Sequence, residues 1–306
     1  MEAALRNRLT YGPIMLVALG LLLWLDHAFE QWTRSWAMRT FEIDHGIGGF
    51  GLLILLVVVL PLAVVELARL FTAENVRPYR IIAGTACAAL VVHAFLTQFP
   101  AFKQIAASAL AFIIVFVMLF AALRRALERQ TSDAIVRMAG TVLATLYLGG
   151  LAWFLVAIRV KQSDHFSGHT LKLLFVLLVV KFTDIGAYFG GRAFGRHKLI
   201  PWLSPGKTWE GLICGLLTAG AVGAAMAPFI SESRPGVTGL EWHSAVIFGI
   251  ILGGIGQLGD LLESLMKRDA DVKDSGSSIP GFGGILDVID SPLVASPFAY
   301  LLFSLL

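Results

Sequence analysis

The sequence predicts an all-α, polytopic integral membrane protein with about nine transmembrane helices and a cytoplasmic N-terminus. Of its 306 residues, 57% are hydrophobic and 15% are charged, whereas soluble proteins average about 25% charged residues. Apolar runs close to the ~20 residues that a helix needs to cross a bilayer recur along the whole chain. The linkers between these runs are short, so no soluble domain of useful size is expected.

The apolar runs define nine candidate spans. They lie at about residues 10–26, 47–71, 80–99, 104–123, 136–158, 169–190, 209–230, 244–266 and 291–306. The first follows Arg6 and Arg8 as a secretory signal would, but the stretch LLLWLDHAF offers no small-residue cleavage site, so an uncleaved signal anchor is expected. Cys87 and Cys214 each fall inside a span, which argues against a disulfide framework.

The distribution of basic residues predicts the orientation. With the N-terminus inside, sixteen of the 24 lysines and arginines fall in cytoplasmic segments and seven on the opposite side, while Lys181 lies within a span. Basic residues near the ends of spans are retained in the cytoplasm, so this arrangement is favoured. The net charge of +3 is explained by topology and does not indicate a nucleic-acid partner.

The eighth span carries charged residues on one face. On a 3.6-residue helix, Asp260, Glu263, Ser264 and Lys267 share that face and run from the membrane toward the cytoplasm. An ionised side chain at mid-bilayer costs about 2.5–3.5 kcal/mol, so these residues are candidates for function. The alternative is that Asp260 and Glu263 lie at a fraying helix end and pair with Lys267 or Arg268.

The segment that follows predicts a metal site. DSGSSIPGFGG favours tight turns, and ILDVIDSP then returns to the membrane with Asp287 and Asp290 three residues apart. This hairpin would bring Asp287 opposite Asp260, where two carboxylates repel unless a cation lies between them. A hard divalent ion with oxygen ligands, most plausibly Mg²⁺, resolves that conflict. The alternative is a pair of helix-capping aspartates that never meets Asp260.

A second polar segment joins the sixth and seventh spans. Lys181 and Asp184 are close enough in sequence to pair with each other, and several arginines and lysines follow them. SPGKTWEG lacks the first glycine of a Walker A motif, since Pro201 stands at that position. Ser204 is nevertheless predicted to cap a helix whose free amides, with Lys207 and Thr208, would receive a phosphate.

Paired carboxylates and basic loops without a nucleophile and base favour phosphoryl or nucleotidyl transfer, because that chemistry depends on positioning and charge neutralisation. A site at the membrane surface implies a lipid substrate. An ion-coupled secondary transporter remains a rival, since it would also hold Asp260, Lys181 and Asp184 in its spans. A CTP-dependent polyprenol or phytol kinase is a second rival with the same chemical demands.

The stretch SLMKRDADVKDSGSSIPGFGGILDVIDS, residues 264–291, resembles the signature of the phosphatidate cytidylyltransferases, or CDP-diacylglycerol synthases. The family pattern is Ser-x-x-Lys-Arg, then Lys-Asp, Pro-Gly-x-Gly-Gly and paired aspartates. The upstream stretches DIGAYFGGRAFGRHKL and LSPGKTWEG look like other segments that the family shares. The close resemblance therefore covers about residues 181–297. Two positions depart from the commonest signature: Phe282 replaces a histidine and Val288 an arginine.

The resemblance implies an enzyme that condenses CTP with phosphatidate into CDP-diacylglycerol and pyrophosphate, with Mg²⁺ as cofactor and room for K⁺ beside it. By position, Asp260 and Asp287 would hold the metal, and the other catalytic positions are Lys267, Lys273 and Asp274. The substrate-binding positions are Ser204, Lys207, Thr208, Glu210, Arg268, Asp184 and Asp290. We expect residues 1–165 to be N-terminal transmembrane helices and residues 166–306 to be the catalytic region, facing the cytoplasm from a bacterial inner membrane, with a homodimer as the candidate assembly.

Overall fold

A computed structural model describes residues 2–43, 45–160, 169–230 and 240–305. The chain divides into two compact units. The N-terminal unit comprises Met1–Val160 and Asp269–Val288, and the C-terminal unit comprises Lys161–Arg268 and Ile289–Leu306. The segment Asp269–Val288 therefore belongs to the first unit although it lies late in the chain.

The described residues form helices and one small hairpin, which confirms the predicted all-α membrane fold. The helices are α1 Glu2–Phe41, α2 Phe50–Ala73, α3 Arg80–Leu96, α4 Pro100–Lys103, α5 Ala106–Leu127, α6 Ala134–Ala144, α7 Leu151–Val160, α8 His169–Phe194, α9 Trp209–Ile230, α10 Trp242–Asp269 and α11 Leu286–Leu305. A π-helical stretch, Thr145–Gly150, joins α6 to α7. Strands β1 Lys198–Ile200 and β2 Ser204–Thr208 lie between α8 and α9.

Eight helical segments of the described chain are long and apolar enough to cross a membrane. The third predicted span is the exception, because α3 has 17 residues. At a rise of 1.5 Å per residue it reaches about 26 Å, slightly less than the ~30 Å hydrocarbon core. The first predicted span lies inside a much longer helix of 40 residues, since no proline and only one glycine, Gly20, stand between Pro13 and Gly46.

A buried ionic cluster joins helices of the N-terminal unit. Arg159 Nε donates to Asp26 Oδ2 at 2.7 Å and Nη2 donates to Glu30 Oε2 at 2.8 Å. The Asp26 carboxylate also accepts the amides of Gly49 and Gly51 at the start of α2, at 3.1 and 2.8 Å. Pairing compensates for the desolvation of these charges, so the cluster connects α1, α2 and α7.

Close packing between α8 and α9 shapes the C-terminal unit. A Cβ atom added to Gly190 of α8 would lie 2.3 Å from the Cβ of Cys214 in α9, and one added to Gly215 would lie 2.8 Å from the carbonyl oxygen of Thr183. Small residues let membrane helices approach this closely. The β1–β2 hairpin connects the C-terminal end of α8 to the N-terminal end of α9, and the packing of these helices keeps the two ends close together.

The hairpin corrects one prediction. Ser204 does not cap a helix: it lies on β2, paired with Ile200 of β1, and α9 begins five residues later at Trp209. The cap is instead Thr208, whose Oγ1 accepts the amide of Gly211 at 3.1 Å. The prediction was wrong because strand pairing in this segment outweighed the local Ser-Pro preference for a helix start.

Candidate active site

Three carboxylates meet in the C-terminal unit. One oxygen from each of Asp260, Glu263 and Asp290 lies within 4.8 Å of the other two. Asp260 and Glu263 are on α10, and Asp290 is on α11. Glu263 and Asp290 are buried, at 0% and 2% exposure, while Asp260 is partly exposed. We call these three residues the carboxylate cluster.

A glycine explains why the cluster forms. A Cβ atom added to Gly259 would lie 3.0 Å from Ser291 Cα and 3.3 Å from the carbonyl oxygen of Asp290, so α10 touches the backbone of α11 at this point. The next residue of α10 is Asp260, which is thereby brought to the level of Asp290. The i, i+3 spacing then places Glu263 one turn further along the same face.

Lys207 connects the hairpin to this cluster. Its Nζ lies 2.6 Å from Asp260 Oδ2 and donates to Gln257 Oε1 at 2.9 Å. Gln257 Nε2 donates in turn to Asp184 Oδ1 at 2.7 Å. The predicted substrate-binding residues Lys207 and Asp184 are thus joined to Asp260 by one hydrogen-bonded chain, in which Gln257 is the link.

The basic end of α10 lies beside the cluster. Lys267 Nζ is 3.5 Å from Glu263 Oε1, one turn apart on the helix. Arg268 Nε donates to the carbonyl oxygen of Leu203 in the turn of the hairpin, at 3.3 Å. The alternative interpretation was that Asp260 and Glu263 pair with Lys267 or Arg268. The Glu263–Lys267 pair agrees with it, whereas Asp260 pairs with Lys207 of the hairpin.

Glu210 fixes the residues that lead into β1. Its carboxylate accepts the amides of Arg196 and His197 at 3.1 and 3.2 Å, and it pairs with His197 Nδ1 at 2.6 Å. The predicted binding residue Glu210 therefore holds the hairpin in place. Ser204, on β2, is partly exposed on the same hairpin.

In the N-terminal unit, Asp287 organises the signature segment, residues 269–288. Its Oδ2 accepts hydrogen bonds from the Gly284 amide at 2.7 Å, the Ser275 hydroxyl at 2.9 Å and the Ser275 amide at 3.1 Å. Asp287 lies in the first turn of α11. Asp287 therefore has the helix-capping role that the alternative interpretation predicted, because it accepts hydrogen bonds from amides that precede the helix.

The turn of the signature segment requires glycine. Gly283 has φ +101°, a conformation that residues with a Cβ atom rarely adopt, and an added Cβ would lie 2.5 Å from Asp287 Oδ2. Phe282, one of the two departures from the family pattern, lies against α1, where a Cβ atom added to Gly12 would stand 3.4 Å from its ring. The predicted catalytic residues Lys273 and Asp274 are exposed on the segment.

Two polar residues of these sites were missed at the sequence level. Gln257 is a neutral side chain in an apolar span, and Glu66 is a single acid in α2, where its exposure is only 2%. Glu66 accepts hydrogen bonds from Ser278 and the Leu286 amide of the signature segment, and the Ser275 hydroxyl lies 3.4 Å from its Oε2. A lone acid in a transmembrane helix is itself a signal of function, and that signal could have found Glu66.

The predicted metal pair joins residues of different units. Asp260 belongs to the carboxylate cluster of the C-terminal unit, and Asp287 to the signature segment of the N-terminal unit. That the two share one ion stays a prediction. The structure adds Glu263 and Asp290 as carboxylates beside Asp260.

Comparison with known proteins identifies relatives. A model described as "Cytidylyltransferase family" matches residues 32–306. The chain is 44% identical over 145 residues to a phosphatidate cytidylyltransferase of Haemophilus influenzae, covering 46% of this chain and 49% of that protein. It is 39% identical over 163 residues to a phosphatidate cytidylyltransferase of Bacillus subtilis, covering 53% and 57%. The matched regions thus span about half the length of these relatives.

Proposed function

The chain belongs to the cytidylyltransferase family, and we propose that it transfers the cytidylyl group of CTP to phosphatidate, forming CDP-diacylglycerol and pyrophosphate. The observation that carries the proposal is the meeting of three carboxylates with Lys207 and Lys267 in a transmembrane unit. A nucleoside triphosphate brings several negative charges, and its reaction requires cations and fixed donors around them. Relatives named phosphatidate cytidylyltransferase support the choice of substrates.

The carboxylate cluster has the composition of a magnesium site. Mg²⁺ prefers oxygen ligands and is usually bound by one or two carboxylates together with water and substrate phosphates. Three carboxylate oxygens within 4.8 Å of one another, one of them partly exposed, fit that pattern. We propose Asp260, Glu263 and Asp290 as candidate ligands, with Asp287 kept as the ligand predicted from the family resemblance. When bound, the ion would neutralise phosphate charge.

The lysines supply the remaining positive charge. In the proposed reaction an oxygen of the phosphatidate phosphate bonds to the α-phosphorus of CTP, and the bond from that phosphorus to the bridging oxygen of the β-phosphate breaks. Pyrophosphate leaves with the electron pair of the broken bond. Lys207 is held by Gln257 beside Asp260, so its ammonium group is positioned to stabilise negative charge on the phosphates.

The proposed setting is the inner membrane of a bacterium, with the hairpin and the signature segment at the cytoplasmic face. The concentration of lysines and arginines in the segments assigned to that side supports this orientation. CTP is a cytoplasmic nucleotide and phosphatidate is a membrane lipid, so a site at this face is accessible to both. A homodimer is proposed as the assembly to be tested.

Product analysis tests the function. Purified protein in detergent, given CTP, phosphatidate and Mg²⁺, is expected to release pyrophosphate and to form a lipid that carries CMP. Formation of CDP with a phosphorylated lipid would identify a lipid kinase instead. Solute flux in liposomes without CTP turnover would refute the enzymatic function and support a transporter.

A further inference from the structure

Glu66 is a buried acid in the second half of the apolar helix α2. Its exposure is 2%, and α2 is among the most hydrophobic helices of the chain. Placing a carboxylate in a membrane span is energetically unfavourable unless donors compensate it, and such residues commonly serve function. Glu66 is neither in the signature segment nor among the residues predicted from the resemblance.

Three groups of the signature segment lie within hydrogen-bonding distance of the Glu66 carboxylate. The Ser278 hydroxyl donates to Oε1 at 2.5 Å, while the Leu286 amide and the Ser275 hydroxyl approach Oε2 at 2.9 and 3.4 Å. Ser275 and Ser278 lie before the glycine-rich turn, and Leu286 lies after it. One carboxylate therefore holds the two sides of the turn together.

Ser275 also joins Glu66 to Asp287. The Ser275 hydroxyl is 2.9 Å from Asp287 Oδ2, which is closer than its 3.4 Å distance to Glu66. Because a hydroxyl has one proton to donate, Asp287 is the better acceptor in this geometry. A substitution at Glu66 should consequently change the position of Asp287 through Ser275.

The backbone of the signature segment fits closely around the Glu66 carboxylate. A Cβ atom added to Gly276 would lie 2.6 Å from Glu66 Oε1, and one added to Gly284 would lie 2.4 Å from Oε2. Glycine at both positions allows the turn to reach the carboxylate. The fit is specific to a side chain of this length and shape at position 66.

We propose that Glu66 is a positioning residue for the cytidylyl transfer reaction, acting by holding Ser275 and Asp287 in the geometry that the reaction needs. This inference rests on the proposed function, because it assumes that the signature segment handles the nucleotide. In this role Glu66 does not touch the reacting atoms. Its contribution is to fix the segment that contains Asp287, Lys273 and Asp274.

The experiment uses the full-length protein in detergent and compares Glu66→Gln with Asp26→Asn. Asp26 is a matched control, since it is also 2% exposed and lies in the N-terminal unit, where it pairs with Arg159 at 2.7 Å. In Glu66→Gln an NH2 group, which is a donor, replaces one of the two carboxylate oxygens that face donors of the signature segment. We expect kcat to fall about 10- to 100-fold, the size of effect seen when a residue that orients a ligand is lost.

In Asp26→Asn we expect a lower thermal midpoint with kcat per folded molecule near the wild-type value, because Asp26 bonds to Arg159, Gly49 and Gly51 rather than to the signature segment. A double-mutant cycle with Ser275→Ala provides the discriminating measurement. If Glu66 acts through Ser275, the two losses of kcat combine to less than their product. A kcat of Glu66→Gln equal to wild type, or losses that multiply fully, would overturn the proposal.

Hydrogen exchange tests the structural role of Glu66 independently of the proposed enzymatic function. Peptides covering residues 274–287 should exchange faster in Glu66→Gln than in wild type, and peptides of α3 should be unchanged. If the wild-type protein released no pyrophosphate, the proposed function would fail by that result alone. Equal exchange of the 274–287 peptides in the two proteins would instead show that Glu66 does not hold the segment.

Discussion

The Nζ atom of Lys207 lies 2.6 Å from Oδ2 of Asp260, which joins strand β2 of the hairpin to helix α10. Residues 207 and 260 are far apart in sequence, yet this contact places a cation directly beside the carboxylate cluster. Lys207 is also held by Gln257, so its position is fixed by more than one bond. Substitution of Lys207 is therefore the first test of how the site stabilises the negative charge of the phosphates.

Replacing Lys207 with methionine should reduce CTP turnover by about 10²- to 10³-fold, because a fixed donor to developing negative charge is removed. Lys198→Met is the matched control, since Lys198 lies on the same hairpin but its Nζ donates to the carbonyl oxygen of Pro205. Turnover is measured as pyrophosphate release. An equal loss of turnover in both variants would show that turnover depends on the total positive charge of the hairpin and not on Lys207 in particular.

Glu263→Gln should raise the Mg²⁺ concentration needed for half-maximal activity by about 10- to 100-fold, because a carboxylate of the proposed metal site is neutralised. Chelation of divalent ions should abolish activity in the wild type, and added Mg²⁺ should restore it. Asp269→Asn removes an exposed acid at the end of the same helix and should leave the requirement unchanged. An unaltered Mg²⁺ requirement in Glu263→Gln would remove Glu263 from the ligand set.

Asp287→Asn should abolish pyrophosphate release while the protein remains folded. The asparagine keeps the size of the side chain and one oxygen to accept the Gly284 or Ser275 donors, but it loses the negative charge. Folding is checked by the elution profile in detergent and by thermal unfolding. Wild-type turnover in this variant would exclude Asp287 as a metal ligand.

Thr208→Ala should lower the free energy of unfolding by about 1 kcal/mol, because the Gly211 amide at the start of α9 loses its acceptor. Thr208→Ser retains the hydroxyl and should lie closer to wild type. The measurement is denaturation of both variants in the same detergent. If alanine and serine had the same effect, the cap would contribute little and the loss would reflect packing of the threonine methyl group.

The membrane class and most helices were predictable from the sequence. The seventh predicted span, at about residues 209–230, coincides with α9, and the others lie within or close to observed helices. These predictions succeed because hydropathy and helix length are properties of consecutive residues. The helix start predicted at Ser204 failed since pairing of β2 with β1 depends on residues outside the local motif.

Most residues of the candidate site were named from the sequence, but only some of their contacts could be predicted. Asp260, Lys207 and Asp287 were all singled out from the sequence, and the structure shows Lys207 beside Asp260. The contribution of Asp290 to the carboxylate cluster was not predicted, because it requires the close approach of α10 to α11 at Gly259. The link through Gln257 was missed because a neutral amide gives no electrostatic signal in a sequence.

By itself, the sequence determined that this chain is a membrane protein, where its apolar helices run and which signature it contains, because each of these depends on neighbouring residues. Only the tertiary structure decided that Asp290 joins Asp260 and Glu263, and that Glu66 binds serines more than 200 positions later in the chain. Such contacts depend on which helix surfaces pack together. That packing is set by the free energy of the whole fold, to which distant segments contribute jointly.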